Sequence, residues 1–256
     1  FILTEKKYIN NNFFLKDHFK CNNCEIENYI FLSDSILCLN CKAKYEFQNN
    51  IVKIDDEDDF FYEGKYQGHI KFIPKAKSFF GKIILWSINS GYLWYVQKYA
   101  QKKSSILELG CGSGVSFFGE YMNTIGMDLS FSSMKNNKVN YKFFLKSNIY
   151  NKIPIKSESM DLVVSSFFWE HIEIKKKQQA IQDINRVLKP GGKIIFLFDV
   201  ETNNPLIRLL KNKDYKKYKE LFIDSDLHVG YETIKDNEKM FNENGFETME
   251  ILGCEK

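Results

Sequence analysis

From residue 105 onward, short apolar runs take turns with longer stretches that have helical spacing. Residues 106–109 read as a buried strand, which runs into Gly110, Gly112 and Gly114. Residues 115–121 then open a helix. Residues 124–130 are a second short apolar strand that ends in an acid, and residues 132–137 form a short helix. Residues 141–145 and 162–165 follow as a third and a fourth strand. Residues 175–188 make an amphipathic helix with a basic start, and residues 193–198 a fifth strand. A helix at 236–244 is stopped by Gly245, and residues 246–252 predict a sixth strand.

The first hundred residues are less regular. Residues 1–20 are polar and Asn-rich, with Phe13, Phe14 and Leu15 as their apolar cluster, and read as an extended lead-in. Residues 26–37 suit a short hairpin. Residues 83–99 read as a helix whose apolar positions, Trp86 and Trp94 among them, are too evenly spread for one stripe; core packing is the expected use of the two tryptophans.

The glycine turn is the first place where chemistry enters. A strand that ends under a ligand must turn tightly, and a residue without a Cβ lets the backbone touch that ligand. A nicotinamide fingerprint needs a third glycine where this chain has Val115 or Phe117, so a pyrophosphate site is disfavoured. A P-loop is excluded, because no G-K-[ST] follows.

The order Glu108-x-Gly110-x-Gly112-x-Gly114 resembles motif I of the Rossmann-like methyltransferases that use S-adenosylmethionine. Three later stretches extend the resemblance. Asp128 ends the second strand eighteen residues after Gly110, about where an α/β cofactor site needs a carboxylate for ribose hydroxyls. Residues 159–172 resemble the family's fourth strand and following loop. Arg186-Val187-Leu188-Lys189-Pro190-Gly191-Gly192 resembles its R-V-L-K-P-G-G signature, in which Pro190 stops the helix and the glycines lead into the fifth strand.

The resemblance implies an α/β fold with a doubly wound, mostly parallel Rossmann-like sheet. It also implies a cofactor site. Glu108 would lie near the sulfonium amino-acid end, and the turn of Gly110, Cys111, Gly112 and Gly114 would pass beneath that end. Asp128 and Leu129 would hold the ribose. Asn148 aligns with an acidic residue that bonds the adenine amino group; its side-chain oxygen can still accept that bond, and Ile149 would pack on the ring. Ser165 completes the set at the end of the fourth strand. Ser165-Ser166-Phe167-Phe168 replaces the Asn/Asp-Pro-Pro-aromatic motif that marks amide and exocyclic-amine acceptors, so that chemistry is not expected.

Two histidines are candidate catalytic residues. His171 is either a general base or a cap on the following helix. His228 lies in residues 199–233, an insertion that contains Arg208, Lys211, Lys213, Lys216, Lys217 and Lys219; a lid for an anionic acceptor is one reading and a solvated helix face is the favoured one.

Cys21-x-x-Cys24 and Cys38-x-x-Cys41 are two knuckles separated by the short hairpin, the spacing of a Cys₄ zinc ribbon. Zinc is preferred to disulfides or a thioredoxin-type redox pair. The continuation through Val52 resembles the ribbon that precedes some bacterial methyltransferase domains, akin to a small zinc protein that activates tRNA and release-factor methyltransferases. The expected organisation is a ribbon with its lead-in over residues 1–54, a connection over 55–80 that begins with the solvated acidic run 55–59, and a methyltransferase domain over 81–256.

Composition changes this picture little. The net charge of +3 does not mark a nucleic-acid binder. No apolar run reaches the eighteen or so residues of a membrane span and no signal-peptide core is present, so a cytoplasmic protein is expected. Because the first residue is Phe1 and the family's seventh strand would lie past Lys256, the sequence reads as part of a longer product. The expected activity is methyl transfer from S-adenosylmethionine to an O or N atom of a small-molecule, lipid or sugar acceptor. The alternatives are an RNA methyltransferase that grips its substrate through the ribbon, and a non-catalytic adaptor subunit.

Overall fold

The computed structural model describes residues 11–57, 92–93, 95–202 and 204–252. Residues 1–10 of the lead-in, 58–80 of the connection, 81–91 with Trp86, and Trp94 lie outside the described residues.

The centre is a parallel sheet of five strands. In chain order these are β5 (Ser105–Leu109), β6 (Asn123–Asp128), β7 (Phe143–Lys146), β8 (Met160–Ser166) and β9 (Leu188–Leu197). Their spatial order is β7-β6-β5-β8-β9. The order reverses at β5, and in open α/β sheets ligands bind at the carboxyl ends of the strands beside such a reversal. This is the expected doubly wound α/β fold. Ile106, Leu107, Ile125, Phe143, Val163 and Val164 are fully buried, because helices cover both faces and the strands read as continuous apolar runs.

One face packs against α2 (Ser116–Tyr121), α3 (Phe131–Lys135) and the helical turn at 95–99, with Phe118, Met134 and Val96 in its core. The other packs against α4 (Ile174–Val187) and α7 (Ile234–Glu243). On α4 the stripe Lys177, Ala180, Ile181, Ile184 and Val187 is buried at helical spacing. Between β9 and α7 lie α5 (Pro205–Lys213) and α6 (Tyr215–Lys219), followed by a single wide turn at Glu220–Asp224. Lys213, Lys216, Lys217 and Lys219 are exposed, as a solvated helix face requires. Among the described residues no helix is long and apolar enough to cross a membrane.

The amino-terminal segment continues the same sheet. The hairpin strands β1 (Tyr29–Phe31) and β2 (Ser35–Cys38) lead antiparallel into β3 (Lys44–Gln48) and β4 (Ile51–Lys53). β4 then pairs parallel with β7, Val52 opposite Leu145. The sheet therefore has nine strands among the described residues.

Four expectations need correction. The lead-in is not extended: residues 11–18 form the helix α1 (Asn11–His18), and Leu15 and Phe19, four apart on one face, are buried against the sheet. His18 closes it, with Nδ1 on the Phe14 carbonyl at 2.8 Å and Nε2 on Ser105 Oγ at 3.2 Å. The acidic run is not wholly solvated, since Asp55 is bound to the loop after β7. The helix α4 stops at Val187, before Pro190. β9 starts at Leu188, and residues 189–192 run out of register between the pairs Met160–Leu188 and Leu162–Lys193, which tolerates a proline on this edge strand. Residues 246–252 are not a strand. Phe246 packs on Phe241, whereas Met249, Ile251 and Leu252 are exposed, and among the described residues no strand pairs with this segment.

Candidate functional site

The carboxyl end of β5 delivers the glycine turn. Gly110 has φ +65° and Gly112 φ +52°, in the left-handed region where a side chain is disfavoured. A Cβ on Gly110 would lie 2.5 Å from the Phe168 ring, so the loop after β8 rests directly on the turn. Cys111 N donates to Met127 O at 3.2 Å and Gly114 N to Cys111 O at 2.7 Å. The Cys111 side chain faces the interior, where burial pushes its thiol pKa up.

Asp128, at the end of β6, is tied to this turn. Its Oδ2 accepts from Gly112 N at 2.7 Å and its Oδ1 from Ser130 N at 2.8 Å, while Leu129 beside it is half-buried. Ser165 Oγ donates to Leu109 O at 3.1 Å and so ties the ends of β8 and β5. Glu108 is buried under the turn. Burial, with the Asp128 charge adding, raises its carboxyl pKa from 4.5 to about 8, against the lowering effect of the Tyr141 hydroxyl.

Asn148 and Ile149 follow β7. Ile149 is buried. Asn148 Oδ1 accepts from Tyr150 N at 3.0 Å, and its Nδ2 donates to Glu57 Oε2 at 2.7 Å. Asp55 holds the same loop: its Oδ2 accepts from Asn148 N at 2.8 Å and Ser147 Oγ at 3.1 Å, and its Oδ1 from Asn151 Nδ2 at 3.0 Å. Lys146, itself buried, donates to the carbonyls of Asp55 and Glu57 at 2.9 and 2.5 Å. Sequence reasoning missed Asp55 and Glu57 here, because only the pairing of β4 with β7 brings them to this edge.

The loop after β8 places His171 in the short helical turn Trp169–His171. His228, 57 positions later, meets it edge to face with ring centroids 5.1 Å apart. His171 Nδ1 lies 3.1 Å from Leu227 O, and burial lowers its pKa against the pull of that carbonyl. Glu170 beside it is buried, which raises its carboxyl to about 7. The segment that bears His228 is anchored through Lys177, whose ammonium reaches Gly230 O at 2.6 Å, Glu232 Oε2 at 2.8 Å and Asn237 Oδ1 at 3.3 Å. Asn237 Oδ1 also accepts from Trp169 Nε1 at 2.8 Å.

The four amino-terminal cysteines are brought together. Cys21 Sγ and Cys41 Sγ are 3.6 Å apart, Cys24 Sγ and Cys38 Sγ 3.5 Å, and all four sulfurs lie within 4.8 Å of one another. Tetrahedral coordination at 2.3 Å from zinc needs sulfurs about 3.8 Å apart, so the set is compatible with a zinc ribbon. The two knuckles repeat one geometry. Glu25 and Lys42 have φ +62° and +63°, and their N–H groups donate to Cys21 O and Cys38 O at 2.9 and 3.0 Å. Backbone hydrogen bonds from Ile26 and Ala43 hold the thiols of Cys24 and Cys41 below the usual thiol pKa, toward the thiolate a metal needs.

The family model described as a methyltransferase domain matches residues 107–196, from β5 into β9. Over these residues, about a third of its length, the chain is thus similar to a methyltransferase domain. A demethylmenaquinone methyltransferase of Lactiplantibacillus plantarum is 27% identical to it over 146 residues, 50% of this chain and 61% of that protein. A thiol S-methyltransferase of Rattus norvegicus is 28% identical over 152 residues, 56% of this chain and 61% of that protein. The match thus spans about three-fifths of the length of these curated relatives. In fold, the methyltransferase domain is similar to a crystal structure of a candidate sarcosine dimethylglycine methyltransferase from Galdieria sulphuraria, with TM-score 0.51 and 16% identity over 66% of this chain and 65% of that one.

Proposed function

We propose that this chain transfers the methyl group of S-adenosylmethionine to an oxygen or nitrogen atom of a small-molecule, lipid or sugar acceptor. The observation that carries the reading is the convergence of Glu108, Gly110, Gly112 and Asp128 beside the loop of residues 168–171, at the carboxyl edge of the parallel sheet. Open α/β sheets bind their ligands in a crevice at that edge.

The residues present fit the cofactor. Asp128 accepts from a backbone N–H on each oxygen, and a carboxylate with about four acceptor sites is the group suited to ribose hydroxyls. Gly110, Cys111, Gly112 and Gly114 present backbone rather than side chain to the amino-acid end, with Glu108 beneath them. Leu129 and Ile149 offer apolar surface. Asn148 Oδ1 would accept from the adenine amino group, and Glu57 Oε2, hydrogen-bonded to Asn148 Nδ2, would offer that group a second acceptor. Ser165 keeps β5 and β8 in place below the crevice.

When bound, the cofactor supplies a methyl group already activated on a sulfonium. The chain has to align the acceptor with it and exclude water. Phe168 covers the glycine turn, and His171 and His228 are the groups on the acceptor side. The relatives named above are a demethylmenaquinone methyltransferase and a thiol S-methyltransferase, which supports a small acceptor and adds sulfur to the atoms worth testing. A zinc ion at Cys21, Cys24, Cys38 and Cys41 has a structural role in this reading, since a closed Cys₄ site leaves no position for a substrate.

The test is transfer of labelled methyl from S-adenosylmethionine to quinol, thiol, amine, sugar and lipid acceptors, with bulk tRNA alongside. Transfer to a small acceptor is expected. Transfer to tRNA alone, weakening steeply with salt, would replace this reading with an RNA methyltransferase. Absence of cofactor binding would replace it with an adaptor subunit.

A further inference from the structure

We infer that Glu170, His171 and His228 form a second metal site, for a divalent cation of the zinc type. One ligand atom from each lies within 4.8 Å of the other two. An independent observation points to a missing ligand. Glu170 is 1% exposed, its Oε1 accepts from the Asp199 N–H at 3.4 Å, and among the described residues its Oε2 has no hydrogen-bond partner. A buried carboxylate oxygen without a partner is costly, and native proteins resolve such groups with a hydrogen bond, a counter-charge or a metal.

The histidines are prepared for that role. With Nδ1–H donating to Leu227 O at 3.1 Å, His171 carries its lone pair on Nε2, the arrangement that outer-shell carbonyls impose on metal-binding imidazoles. His228 stands edge to face with it and stacks on Tyr231, with centroids 5.7 Å apart. The two segments are clamped. Gly230 N donates to Glu170 O at 2.8 Å, and a Cβ on Gly230 would lie 2.0 Å from Ile172 O, so no larger residue permits this approach. Asp199 and Asp226 add negative potential at His171. The nearby Lys177 ammonium is engaged by Glu232, Gly230 O and Asn237.

Two imidazoles and a carboxylate suit Zn²⁺ and its first-row neighbours rather than Mg²⁺ or Ca²⁺, which prefer all-oxygen sets. Three protein ligands are the pattern of a reactive rather than a structural zinc, because they leave a coordination position for water or substrate. The inference deepens the proposed function and rests on it for its meaning: on the acceptor side, such a cation would ease deprotonation of a hydroxyl or thiol, the task otherwise left to a histidine base.

The test uses the full chain with zinc on its cysteine cluster, titrated with Co²⁺ as the probe while the visible and near-ultraviolet absorption is followed. One equivalent should bind with weak ligand-field bands and no thiolate-to-metal charge transfer, and it should be lost in both Glu170→Gln and His228→Ala. S-adenosylhomocysteine titration on the same samples reports whether each variant is folded. Wild-type protein that takes up no such equivalent overturns the inference, as does an equivalent that survives in a folded variant. Protein that binds S-adenosylhomocysteine but no Co²⁺ refutes the metal site alone; protein that binds Co²⁺ but no S-adenosylhomocysteine refutes the proposed function and leaves the site standing.

Discussion

Tyr141 Oη donates to Glu108 Oε2 at 2.5 Å, across the 33 residues that separate them, and accepts from Val115 N at 2.8 Å. The phenol thereby joins the buried acid of the first motif to the start of α2, and the glycine turn is held from below.

A pH dependence follows from Glu108. Its carboxyl keeps its proton up to about pH 8 in the folded chain, whereas the unfolded chain releases it near 4.5. Between those values the folded state holds more protons, so stability is greatest below about 4.5 and falls as pH rises toward 8. The fall amounts to about 5 kcal/mol at most. Thermal melts of the wild type and Glu108→Gln from pH 5 to 8 should differ by a term that favours the variant increasingly as pH rises. Parallel Tm curves would refute it.

Asp55 should matter to both stability and cofactor binding. Asp55→Ala leaves Asn148 N, Ser147 Oγ and Asn151 Nδ2 without their shared acceptor. A loss of about 1–3 kcal/mol is expected for such half-buried donors. The loop that bears Asn148 and Ile149 would loosen as well, so S-adenosylhomocysteine should bind more weakly. A variant that unfolds in urea with the wild type and binds equally well would show that the contact is idle.

Metal removal should affect more than the ribbon. Cys21 and Cys38 share one apolar core with Phe19, Leu107, Ile125 and Leu145, and β4 is hydrogen-bonded to β7. Structural zinc contributes folding free energy directly. Chelation should therefore lower the Tm of the whole chain in a single transition. Two separate transitions, with the main one unmoved, would mean that the cysteine segment folds apart from the sheet.

What the sequence disclosed was local chemistry. The glycines at 110, 112 and 114, the acid that ends β6 and the paired C-x-x-C knuckles are each fixed by a short stretch, and their spacing carries over to the structure. Contacts between distant segments were not legible. Asp55 reads as one member of a charge run until β4 pairs with β7, about ninety residues away. His171 and His228 could each be named, but nothing in either neighbourhood says that their rings touch. The helix α1 did leave a signal in the i, i+4 pair Leu15 and Phe19, hidden by the polar residues around it. The strand expected at 246–252 did not form for a different reason: among the described residues no strand pairs with it, and its apolar residues Met249, Ile251 and Leu252 stay exposed.

The central claim is that the crevice above Glu108, Gly110, Gly112 and Asp128 binds S-adenosylmethionine. Calorimetric titration of the wild type and Asp128→Ala with S-adenosylhomocysteine tests it most directly, with circular dichroism to verify that both are folded. Micromolar binding that is lost or weakened by about tenfold or more in the variant is predicted, since about 1.4 kcal/mol, the scale of one hydrogen bond to a charged group, is a factor of ten. No binding by the wild type, or equal binding by the folded variant, would contradict the account.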